Sequence, residues 1–158
     1  MESKKPVTAA DAQLILQLYD LRREAEMRKA RKWWSVTFWP ESADDLFNVG
    51  MALGSQESGW ARQVVGYWEI AASLVLNGAL NEDLFMETSF CGEMFVMFAK
   101  VSPFLKELRE KMKMPEFMAN TEKLINGSEK GREHLKQFEE RVSARRKMMA
   151  EAAVAKAS

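Results

Sequence analysis

Apolar residues recur along this chain at helical intervals and almost never alternate. Leu14, Leu18, Leu21 and Ala25 follow one another at spacings of four, three and four, which places them on one helical face. Thr8 and Asp11 precede them with the spacing of a capping box, Asp standing where Glu or Gln is usual. The pattern predicts a first helix from near Thr8 to about Trp33. Pro40 stops anything before it. Residues 34–39 are aromatic and β-branched, so they read as an extended crossing strap.

A short second helix is predicted from Ser42, again with an acid three residues on (Asp45), carrying Leu46, Phe47, Val49 and Met51 and ended by Gly54. Two long segments follow, at 57–78 and 82–100. Only Asn77-Gly78 and an Asn81 cap separate them, so they read as a tight antiparallel hairpin. Both are apolar around most of their circumference over 64–76 and 90–99, which calls for other helices on every side. Ser102-Pro103 and Met114-Pro115 start two short helices. Gly127-Ser128 closes one helix and opens the last, which carries Leu135, Phe138, Val142 and Met149 in a stripe broken by Arg145. The expected architecture is all-α: one domain, residues 1–158, of about five to seven helices around the central hairpin, with frayed tails at 1–7 and 153–158.

Composition narrows the chemistry. The chain of 158 residues is 47% apolar and 29% charged, which suits one globular domain. Eleven Met and sixteen aromatics make for a soft, bulky, methionine-rich core. One cysteine, Cys91, cannot form an internal disulfide, and a cytoplasmic setting is expected. One histidine, His134, excludes sites built on two. It is expected to titrate at the surface, among Arg132, Glu133 and Lys136, and Cys91 to be an inert core thiol. No phosphate-binding glycine loop and no nucleophile elbow occurs. No secretory leader is visible near the N-terminus. The apolar run at 60–80 is interrupted by Arg62, Glu69 and Asn77, as in a buried helix, so no membrane partner is expected.

Net charge is zero, yet it is unevenly laid out. Residues 1–40 hold eight bases and five acids, 41–99 one base and nine acids, and 100–158 fourteen bases and nine acids. Basic flanks wrapping an acidic centre account for this by internal complementarity. The dense run at 22–32 suggests a basic patch, but Glu24 and Glu26 interleave it, and nucleic acid is not an expected partner.

One constellation stands out. With the hairpin turn near residue 80, Glu69 lies level with Gly92 and Glu93, and Gly66 with Phe95. A mid-helix Gly costs about 1 kcal/mol against Ala, so both glycines imply close helix approach or room for a large neighbour. Glu69 and Glu93, near Tyr67, Trp68 and Cys91, form the candidate ligand site. Four readings compete. The carboxylates pair with arginines of the outer helices (Arg22, Arg23, Arg145), face solvent, line a pocket, or bind metal or exchange protons. Two carboxylates without His make a poor metal site, and no metal, cofactor or catalytic residue is expected.

Trp33, Trp34 and Trp39 are expected to close one end of the core, with the strap as a candidate interface. The functional expectation is a non-enzymatic helical interaction or oligomerisation module, meeting a second copy or another protein through the strap or the last helix. Its competitor is a small-molecule sensor or carrier with a pocket at Glu69 and Trp68. An enzyme of unidentified class has the least support.

Overall fold

The computed structural model describes residues 4–158, and every regular element among them is helical. In chain order these are α1 (Ala9–Leu21), α2 (Ala25–Lys32), α3 (Ala43–Met51), α4 (Gln56–Leu76), α5 (Glu82–Phe85), α6 (Thr88–Val101), α7 (Leu105–Met112), α8 (Ala119–Asn126) and α9 (Glu129–Ala157). A π-helical turn (Trp33–Thr37) continues α2, and a 3-10 turn (Ser102–Phe104) leads into α7. The result is the all-α, single-domain bundle that the pattern implies. Nine α-helices replace the expected five to seven among the described residues, because the first predicted helix is two and the arm 82–100 opens with a separate turn.

Each break has a local cause. The Thr8–Asp11 capping box forms, and Asp11 also accepts from the Asn81 backbone N–H at 2.8 Å, which fastens α1 to the start of α5. Those N–H and O–H donors, Thr8 first, hold the Asp11 carboxyl below its ordinary range. After Leu21 the helix stops so that Arg22 can turn inward, and Glu24 restarts it by accepting from the Glu26 and Met27 amides at 3.0 and 2.8 Å.

The expected extended strap is instead largely helical. The Phe38 N–H donates to Trp33 O at 2.8 Å, a five-residue closure that stacks Trp33 on Phe38 with ring centroids 4.3 Å apart. Trp33 and Trp34 are thereby core residues, so neither is available as an interface; Trp39 alone of the three lies half-buried.

The core joins α2, α4, α6 and α8 around Trp68, Phe85, Phe95 and Ile125. α4 packs chiefly on α2 and α8, and α6 on α9. The two hairpin arms meet through large side chains: Trp68, Phe85 and Phe90 stand edge to face between them. Of the two readings of the glycines, close helix approach does not occur, whereas room for a large neighbour is used at Gly92. Gly92 lies under Phe138 of α9, and Gly66 faces open space.

Among the described residues, three ion pairs join the basic flanks to the acidic middle: Lys4–Asp83 at 3.1 Å, Arg31–Glu93 at 2.6 Å and Lys111–Asp44 at 2.7 Å. The expected fraying at residues 1–3 lies outside the described residues. Residues 4 and 5 are tied down, the Lys5 ammonium donating to Gly78 O and its carbonyl accepting from Asn81. α9 stays helical through Ala157, with every residue from Lys147 onward exposed.

Candidate functional site

Helix α4 presents three environments on its sides, and they sort the predicted residues. Its first side carries Tyr67 and Trp68 into a filled polar and aromatic cluster. The indole N–H of Trp68 donates to Glu93 Oε1 at 3.1 Å, and Arg31 Nε donates to Glu93 Oε2 at 2.6 Å. Arg22 lies 4.8 Å from the Trp68 ring and 4.4 Å from that of Phe90, and donates to Phe90 O at 2.6 Å and to the Tyr67 hydroxyl at 3.2 Å. Tyr67 in turn donates to Leu18 O at 2.5 Å. Burial pushes the Tyr67 phenol up, with Arg22 acting against it. The cluster satisfies its members by mutual contact. The expected arginine partner of a carboxylate is present, but it is Arg31; Arg22 serves the aromatic rings instead.

Glu69 belongs to a second environment and does not join Glu93. Its Oε1 accepts from the Thr121 N–H at 2.8 Å and the Thr121 hydroxyl at 2.6 Å, and Oε2 accepts from the Asn120 N–H at 3.3 Å. These amides are in the first turn of α8. The residue before that helix, Met118, adopts φ +57 and offers no side-chain cap. Glu69 supplies from α4 the cap that α8 lacks in its own sequence, placing a carboxylate at the positive end of the helix. The chain between Pro115 and α8 is turns, so the helix expected at Met114-Pro115 starts four residues late.

The third environment is hollow. A cavity of about 290 Å³ lies between α3, α4, α7 and the π turn, walled by Trp34, Phe38, Leu46, Val65, Leu108 and Phe117. Gly50 and Gly66 border it, and a Cβ added at either would meet no atom within 4 Å. Helix α3 roofs the cavity. Its only fully buried residue is Ala43, and the Lys111–Asp44 pair ties it to α7. Arg62 is the one charged residue on the wall and also its one exposed residue. Its Nη2 donates to Gly50 O at 2.7 Å, at the negative end of α3, and its Nε reaches Ser58 Oγ at 3.4 Å. Of the predicted site residues, Tyr67, Trp68, Glu69 and Glu93 are all absent from this wall.

Lys100 escaped the sequence reading. It is 0% exposed, and its ammonium donates to the carbonyls of Trp34 and, at 2.9 Å, Phe38, while lying 3.7 Å from the Trp39 ring centroid. It closes the end of the π turn, where wide turns leave carbonyls unpaired. Burial, with Arg146 adding repulsion, pushes its pKa down to about 7. A lone Lys ending the apolar run at 94–101 was the available signal.

Cys91 is buried, and burial raises its thiol to about 12. His134 is half-buried, edge-on to Phe95 at 5.6 Å with Nδ1 unpartnered, so it is not the surface group expected. Among the described residues no group of three or more His, Cys, Asp or Glu could hold a metal ion, and no helix is long and apolar enough to cross a membrane.

A helical domain with an apolar cavity and a cationic group at its edge is the class that fold and site define. Residues 7–128 match the family described as Domain of unknown function (DUF4760), and the chain belongs to that family. The match takes in α1 to α8 and the whole cavity wall, and ends where α9 begins. No curated protein and no solved structure matches the chain.

Proposed function

We propose that this domain is a non-enzymatic binding module for a small, largely apolar molecule, held in the cavity beneath α3. The observation that carries the reading is the cavity itself, with two glycines on its border that leave space open. A close-packed interior leaves few voids larger than a water molecule. An apolar cavity of about 150 Å³ takes a benzene, so one of about 290 Å³ accommodates a medium aliphatic chain or a bicyclic ring. That only Ala43 of α3 is fully buried suits a roof that opens for entry. This moves the pocket from the Glu69–Trp68 neighbourhood to a different side of the same helix. The test is Gly66→Leu, which takes up part of the cavity. Titration with small apolar probes, followed by tryptophan fluorescence, should show weakened saturable binding while the circular dichroism spectrum stays helical. Unchanged binding in that variant overturns the reading.

A second reading is favoured by α9. This helix lies beyond the family match, and Met148, Met149 and Val154 are exposed along its outer half. It forms a groove with Trp39, Pro103 and Phe104. An oligomerisation role would bury that half against a second copy. Light scattering of the full chain and of Met149→Glu separates the outcomes: a dimer that dissociates in the variant supports it, and a monomer at high concentration removes it.

A further inference from the structure

Resting on the cavity reading, we infer that the ligand is an amphipathic carboxylate, its apolar body under α3 and its carboxylate on Arg62. Arg62 is the only base among residues 41–99, a stretch with nine acids, and it stands at the edge of the apolar cavity. Among the described residues it forms no ion pair. Its two protein acceptors, Gly50 O and Ser58 Oγ, are both neutral, and they hold Nε and Nη2 while Nη1 keeps its donors free. A guanidinium fixed in this way offers a planar fork that matches a carboxylate, and it is less strongly hydrated than an ammonium. No acid lines the cavity, and Asp44 on the roof helix is paired with Lys111. Every other residue on the wall is uncharged, so an anion entering the cavity has one counter-charge to meet, at the exposed edge. That arrangement orients the ligand with its head outward and its tail inward.

The experiment compares octanoate with 1-octanol, which share a chain and differ in charge. Both are titrated by calorimetry into the full chain, into Arg62→Gln and into Gly66→Leu, with each variant checked for helicity. Octanoate should bind roughly tenfold more tightly than octanol, a ratio that one charge-assisted contact at an exposed edge supplies. The ratio should collapse toward one in Arg62→Gln through weaker octanoate binding, with octanol unchanged, and should shrink as salt is raised. Equal affinity for the two probes, or a ratio that survives in Arg62→Gln, overturns the carboxylate assignment and leaves the cavity reading standing. Binding of neither probe, or binding undiminished in Gly66→Leu, overturns both.

Discussion

Two sides of helix α4, less than a turn apart, have opposite fates. On one, Trp68 is 0% exposed, its indole and Arg31 both donate to Glu93, and Arg22 lies over its ring while donating to Phe90 O. On the other, Val65 and Gly66 look into a cavity of about 290 Å³. The residues that draw the eye in the sequence, two glutamates and a tryptophan in two greasy helices, are consumed by structure. A buried polar group is tolerated only when partnered, so an eye-catching carboxylate in a core is usually already occupied. Space is less visible, because an empty volume has no residue of its own.

The largest effect should come from breaking the filled side. Trp68→Ala opens a void and strips Glu93 of a donor, and should cost about 3–5 kcal/mol. Val65→Ala, on the hollow side, should cost roughly 1 kcal/mol, since its side chain already borders open space. Urea unfolding of the two variants checks this, and equal losses would remove the distinction between the sides.

Next in size is the pH dependence of the turn that walls the cavity. Lys100 has a pKa of about 7 when folded, below its ordinary 10.5. Between those values the unfolded chain binds more protons, so stability should rise with pH, by up to about 1.4 kcal/mol per pH unit. Below about 7 the group adds no slope. Denaturant midpoints from pH 7.5 to 9.5 should therefore climb, and Lys100→Met should flatten the curve. A wild-type curve that falls across this window would show that the two carbonyls on the ammonium outweigh its desolvation.

Smaller again is the cap that α4 lends to α8. Glu69→Ala should cost about 1–2 kcal/mol, in the range of lost N-caps. Amide exchange should quicken first in residues 119–126, because three hydrogen bonds there end on this carboxylate. Uniform quickening across the domain would mean that Glu69 acts through the core rather than through α8.

These cases separate what could be read in the chain from what could not. The all-α class followed from periodicity, and the caps at Thr8, Ser42, Asn81 and Ser128 followed from local chemistry; all four accept from the amide three residues on. Trp34 to Thr37 misled because aromatic and β-branched residues favour extended backbone in isolation. The tertiary bond from Lys100, more than sixty residues away, is invisible to any local pattern. Glu69 was visible as an anomaly, but its partner was a backbone amide, and every residue has one. Gly66 was a trace of the cavity, and it read equally well as a place of helix contact.

That ambiguity can be settled by adding one carbon. Gly66→Ala should stabilise the fold by about 0.5–1 kcal/mol, because the helix gains propensity and the new Cβ meets nothing within 4 Å. Gly131→Ala is the counter-case. It also lies in a helix, but its Cβ would fall 2.2 Å from Ile125 O, a backbone atom that cannot swing aside, so this substitution should destabilise. Thermal unfolding should move upward for the first and downward for the second. A downward shift for Gly66→Ala would mean that the space beside α4 closes in solution, and the hollow side would then resemble the filled one.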